Sequence, residues 1–213
     1  MARLTKEKRE EVIKTMLKEY KGAKCALDYN SNFGLLVAVV LSAQTTDVAV
    51  NKVTPELFKK FPDAFAMANA KQSQIEKYIR TIGLYKNKSK NVLALSKDLV
   101  ERFNGEVPDD FDSLTSLPGV GRKTANVVLA ELFGHQTIAV DTHVFRLANR
   151  IGLVAADNVL DTEKQLQKVI PEHNWTKMHH ALIWHGRRVC TAKNPNCAEC
   201  CIKDFCKKNG VEK

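Results

Sequence analysis

The 213-residue chain is short of acids, of long apolar runs and, over most of its length, of cysteine. Asp and Glu number 24 against 33 Lys and Arg, a net charge of +9. That excess favours polyanionic partners, because protein cations displace the counterions condensed on phosphates. A merely solubilising positive surface gives the same balance. The longest apolar run, Phe33 to Ala43, is broken by Ser42, and a membrane span takes about 20 residues. The opening MARLTKEKREEV has no apolar signal-peptide core, and Glu7, Glu10 and Glu11 argue against an acid-poor transit peptide. A cytoplasmic protein with no membrane partner is expected. Up to residue 189 the only cysteine is Cys25, and the other five lie from Cys190 onward. Without an export signal, that clustering points to a local metal site rather than a disulfide framework.

What is present is helical patterning. Apolar residues recur at helical spacing at Val12, Ile13, Met16, Leu17 and Tyr20, and at Ile75, Ile79 and Ile82. Similar stripes run through Val92, Leu95, Leu99 and Phe103, through Val144, Leu147 and Ile151, and through Met178 and Leu182. Phe33 to Leu41 is apolar all round behind the capping residues Asn30, Ser31 and Asn32, which predicts a buried central helix. Only Thr137 to Val140 reads as extended, and one such segment makes no sheet. The fold class is all-α, with no repeat, low-complexity segment or evident linker.

The densest chemistry lies in LTSLPGVGRKTANVVL, Leu114 to Leu129, where Pro118, Gly119 and Gly121 interrupt two helical patterns. Two glycines within three residues leave the backbone uncovered, so its amides and those opening the next helix can approach an anion closely. A DNA phosphate suits such a turn, although a plain αα corner uses the same residues. Lys123 falls in the first turn of the following helix, whose positive dipole end disfavours an ammonium. Desolvation in a cleft acts in the same direction, and Schiff-base chemistry requires a neutral amine. A phosphate-binding lysine is the plainer alternative. Asp141, between the extended segment and the next helix, reads as an N-cap. Lys86, Lys88 and Lys90, with no acid among them, suit either backbone phosphates or a solvated helix start.

Cys190, Cys197, Cys200 and Cys206 enclose gaps of six, two and five residues in a tail with few large apolar residues. Metal binding supplies the folding free energy that burial there cannot. Spacing alone leaves zinc and an iron-sulfur cluster open.

Taken together, LPGVGRKTA, VDTHV, the SAQTTD segment and the six, two, five cysteine spacing behind His185-Gly186-Arg187 resemble the endonuclease III family of base-excision DNA glycosylases. The resemblance runs from about residue 5 to 206. It implies a two-lobed helix-hairpin-helix DNA glycosylase fold with a C-terminal iron-sulfur cluster loop. It divides the chain into a six-helix barrel with the hairpin at 25–135 and a second domain combining 1–24 with 136–213.

By the same resemblance, Lys123 attacks the sugar C1′ of an oxidised pyrimidine nucleotide in duplex DNA, expels the base and forms a Schiff base. β-Elimination then nicks the strand, so damaged bases and abasic sites are both handled. Asp141 helps deprotonate the lysine or stabilises positive charge on the sugar. Gln44, which ends the apolar Phe33 helix on this reading, and Leu84, at the end of the Ile75 helix, fill the gap left by the extruded nucleotide. The hairpin residues Leu117, Gly119 and Gly121 hold the backbone, with Arg187, Arg188 and Lys193 beside the cysteines. Cys190, Cys197, Cys200 and Cys206 hold a structural [4Fe-4S] cluster. A monomer associated with the chromosome is expected.

Two features depart from the family pattern. Cys201 stands beside Cys200 as a rival ligand, and TAKNPN between the first two ligands carries one basic residue where the family often has more. Cys25 and the pair His179-His180 match no motif. Competing readings are another glycosylase of the superfamily, specific for mismatched adenine or thymine, and a non-catalytic helix-hairpin-helix DNA-binding module. Against the first, the Leu35 to Ala43 helix lacks a carboxylate and non-lyase members lack the hairpin lysine. The second leaves Lys123 and Asp141 together unexplained.

Overall fold

A computed structural model describes residues 2–211. Its helices run in chain order as α1 (Lys6–Glu19), α2 (Asn32–Leu41), α3 (Asp47–Lys60), α4 (Ala64–Ala68), α5 (Gln72–Ile79), α6 (Tyr85–Phe103), α7 (Phe111–Ser116), α8 (Arg122–Phe133), α9 (Thr142–Ile151), α10 (Val159–Val169) and α11 (Trp175–Arg188). Among the described residues there is no strand, and no helix is long and apolar enough to cross a membrane. The chain divides into two compact units, Met1–Cys25 with Gln136–Lys213, and Ala26–His135.

The Ala26–His135 unit contains α2 to α8. Every residue from Phe33 to Leu41 is buried, so α2 is the central helix, packed against α3, α6 and α8. Ser31 starts it by accepting a hydrogen bond from the Gly34 amide at 3.0 Å. The helix stops at Leu41, and Gln44 therefore stands beyond it in a turn rather than at its end. The next difference is at Leu84. It does not close α5, which ends at Ile79, but heads α6 as its N-cap residue. Gln72 clamps that start by donating to the Lys86 carbonyl at 3.1 Å while also reaching Glu76 at 2.9 Å.

In the other unit, α1, α9, α10 and α11 surround a core that includes Val12, Met16, Val144, Leu147, Ile151, Leu166, Met178 and Leu182. The extended segment Ile138 to Val140 is buried in that core without a strand partner. The two ends of the chain are strapped to the end of α9. The Leu4 amide donates to Gly152 O at 2.8 Å, and Asn209 Nδ2 donates to Ala2 O at 2.8 Å and Asn149 O at 2.9 Å. Gly152 has φ 89°, and a Cβ there would meet Ala2 O at 2.9 Å, so this crossing needs glycine.

Candidate functional site

In the Ala26–His135 unit, the hairpin joins α7 to α8 through Leu117 to Gly121. Leu117 is buried, and its carbonyl accepts from the Val120 amide at 3.1 Å, so this residue anchors the turn from within. Gly119 is left-handed at φ 79°, and a Cβ would lie 2.9 Å from the Asn91 Cβ. Gly121 is extended, with open space where a Cβ would go, and it provides no side-chain cap for α8. The first amides of α8 therefore face an uncovered approach, which is what an anion needs.

Lys123 is the second residue of α8, and its side chain is exposed. Its amine stands at the positive end of the α8 dipole, open to whatever approaches the hairpin. Gln44 and Leu84 are both exposed, and both have left-handed backbone, at φ 53° and φ 59°. Lys86 and Lys90 are exposed, but Lys88 between them is buried. That residue fits neither sequence expectation for the run, because it turns inward and donates to Thr45 Oγ1.

Asp141 belongs to the second unit. Its Oδ1 accepts from the Val144 amide at 2.8 Å, which fixes one carboxylate oxygen at the head of α9. Burial holds the neighbouring His143 below its ordinary value, against the pull of Asp141 in the other direction.

The four spaced cysteines of this unit, Cys190, Cys197, Cys200 and Cys206, line one cavity together with Arg150 and His185. Cys201, next to Cys200 in the chain, is not on its wall. The Cys201 side chain, above all, pushes the Cys200 thiol down to about 4, toward the thiolate that metals bind. Among the described residues, no three His, Cys, Asp or Glu side chains converge closely enough to bind a single ion. A tetrathiolate zinc site needs four sulfurs about 2.3 Å from one metal. Four cysteines lining one cavity supply the thiolate donor set that zinc or an iron-sulfur cluster takes.

Hydrogen-bond donors surround these sulfurs. Arg150 Nη1 lies 3.5 Å from Cys190 Sγ and donates to Thr191 O at 2.8 Å, while its Nη2 donates to Ala192 O at 3.1 Å. The Lys208 amide points at Cys206 Sγ at 3.3 Å. One turn before Arg150, Arg146 donates to Gly186 O at 3.1 Å and Cys190 O at 3.0 Å. Sequence reasoning missed both arginines. Their spacing along α9, opposite its apolar stripe, was the available signal. Arg187 and Lys193 are exposed beside the loop, and the Arg188 guanidinium lies 4.1 Å over the Trp184 ring.

Residues 37–172 match the model of the HhH-GPD superfamily base excision DNA repair proteins, and residues 190–206 match the iron-sulfur binding domain of endonuclease III. The chain is 46% identical over 202 residues to an endonuclease III of Synechocystis sp., covering 94% of this chain and 92% of that one. It is 45% identical over 210 residues to the Haemophilus influenzae endonuclease III, covering 98% and 100%. A solved structure of a trapped endonuclease III–DNA covalent intermediate superposes with a TM-score of 0.92 at 45% identity, covering 96% of this chain and 97% of that one. A thermostable thymine-DNA glycosylase, TM-score 0.84 over 95% and 96% of the two chains, is 22% identical and shares the fold.

Proposed function

This chain belongs to the endonuclease III family of base-excision repair proteins, and from that premise we propose that Lys123 is its covalent nucleophile. The protein is a DNA glycosylase with associated AP lyase activity, and its cofactor is a [4Fe-4S] cluster. The observation that carries the assignment is the place of Lys123: an exposed amine one residue into α8, directly behind an uncovered glycine hairpin. A phosphate seated on the hairpin amides brings the deoxyribose of a nearby nucleotide within reach of that amine. A relative trapped as a covalent intermediate with DNA is in keeping with this chemistry.

The neutral Lys123 amine attacks C1′, the glycosidic bond breaks, and its electron pair leaves with the base. Opening of the sugar ring gives the Schiff base. Loss of a C2′ proton then expels the 3′ phosphate oxygen and nicks the strand. Asp141, held by its capping bond, assists by accepting the lysine proton or by stabilising positive charge on the sugar.

Gln44 and Leu84 fill the space vacated by the extruded nucleotide. Arg187 and Lys193 contact the backbone. Cys190, Cys197, Cys200 and Cys206 hold the cluster, which when bound cross-links the C-terminal loop and leaves no coordination position for substrate. The substrates are oxidised pyrimidines and abasic sites in chromosomal duplex DNA, handled by a cytoplasmic monomer.

Borohydride reduction in the presence of duplex containing thymine glycol or an abasic site tests the nucleophile. Wild type is expected to form a covalent adduct, and Lys123→Gln none. An undiminished adduct in the variant refutes the assignment.

A further inference from the structure

Among the described residues, four non-glycine residues have left-handed backbone: Gln44, Leu84, Asn104 and Lys208. Asn104 closes α6, a position where asparagine adopts this conformation readily. Gln44 and Leu84 have no such excuse. For a leucine the conformation costs roughly 1–2 kcal/mol, and it persists only where surrounding structure holds it. Both side chains are exposed, so their own packing does not supply that hold.

One residue reaches both segments. Lys88 stands one turn into α6, and its amide donates to the Leu84 carbonyl at 3.0 Å. Its side chain, only 4% exposed, runs to the hydroxyl of Thr45, the residue after Gln44. Thr45 is itself folded back, its amide donating to Ser42 O at 3.1 Å. Burial alone lowers the Lys88 ammonium from its ordinary value, with no carboxylate pulling the other way. A buried cation without an acid is a poor choice for stability, since a methionine of similar length fills the space without the desolvation cost. The lysine is explained by what it connects.

We propose that Lys88 is a positioning residue that locks the Gln44 turn and the Leu84 turn into one register, so that both side chains enter the duplex together. This rests on reading Gln44 and Leu84 as the residues that fill the vacated space. Lys88 acts through them and touches no reacting atom. Its loss loosens insertion while the phosphate contacts, made elsewhere, persist.

The test uses holoenzyme and duplex carrying either thymine glycol or a tetrahydrofuran site opposite 2-aminopurine, whose fluorescence reports insertion. Lys88→Met keeps length and volume; Thr45→Val is isosteric and removes the hydroxyl; Thr45→Ser retains it. Lys88→Met and Thr45→Val are each expected to lower the single-turnover excision rate about tenfold and to reduce the fluorescence change. Duplex affinity should stay within about twofold, because backbone contacts dominate it. Thr45→Ser should behave as wild type, and the Lys88→Met/Thr45→Val double variant should be no worse than either single variant. Wild-type rates in Lys88→Met, alongside impaired Gln44→Ala and Leu84→Ala, overturn the role of Lys88. Unimpaired Gln44→Ala and Leu84→Ala overturn the underlying reading instead. A loss of affinity that matches the loss of rate marks Lys88 as a phosphate ligand and also overturns the proposal.

Discussion

The Tyr20 hydroxyl lies 2.7 Å from Nδ1 of His185, and the other ring nitrogen of that histidine, Nε2, lies 3.5 Å from Cys200 Sγ. A thiolate only accepts, so Nε2 carries the proton, Nδ1 accepts, and the phenol donates. Burial pushes the Tyr20 phenol up, which keeps that donor protonated. The phenol meets the imidazole edge-on, with ring centroids 5.6 Å apart. Tyr20→Phe keeps the ring contact but leaves the buried Nδ1 without its donor. We expect it to destabilise the holoenzyme by about 1–2 kcal/mol, read as a lower unfolding midpoint in denaturant at unchanged iron content.

The cysteine pair gives a sharper contrast. Cys200 lines the cavity shared with Cys190, Cys197 and Cys206, and Cys201 does not. Cys201→Ser is expected to remain brown with wild-type iron and sulfide content. Cys200→Ser should lose most of both and unfold more readily on heating. Colourless wild-type protein containing zinc would contradict the cluster assignment.

Arg150 is buried and holds two carbonyls of the loop, those of Thr191 and Ala192. Arg150→Met removes both of these bonds, to the half-buried Thr191 and the exposed Ala192, and leaves the Cys190 sulfur without its guanidinium neighbour. A loss of about 1–2 kcal/mol is expected, visible as faster release of iron to a chelator.

The two hairpin glycines should separate stability from binding. Gly119→Ala forces a side chain into left-handed backbone and against Asn91, costing roughly 1–3 kcal/mol in an unfolding experiment. Gly121→Ala meets neither obstacle and should unfold as wild type does. Its methyl group nevertheless occupies the open space through which a phosphate would approach the hairpin, so duplex affinity should fall in both variants.

Binding is expected to weaken steeply with salt. Arg187→Ala and Lys193→Ala should each reduce the slope of log affinity against log salt by about 1, with similar losses on damaged and undamaged duplex. A loss confined to damaged duplex would argue against phosphate contacts at these residues.

Most helices are legible in the sequence because periodicity and capping act between near neighbours. The stripe of α9 and the Ser31 and Asp141 caps need only residues three or four positions apart. Leu84 was harder to place. An apolar residue after a helical stripe reads as its continuation, and only the left-handed backbone at 84 shows that it heads the next helix. The lysine run failed for a related reason: alternating lysines carry no helical periodicity to show that Lys88 alone faces inward.

By itself, the sequence determined the all-α class, the glycine hairpin with Lys123 behind it, and the four-cysteine tail, because each is written in residue types over a short span. Only the tertiary structure decided that the four thiols share a cavity and that Cys201 stands outside it. The fold also decided that α9 supplies Arg150 to the loop and that Lys88 joins two distant turns. These depend on segments about 40 residues apart in the chain, and such contacts exist only once the helices have packed.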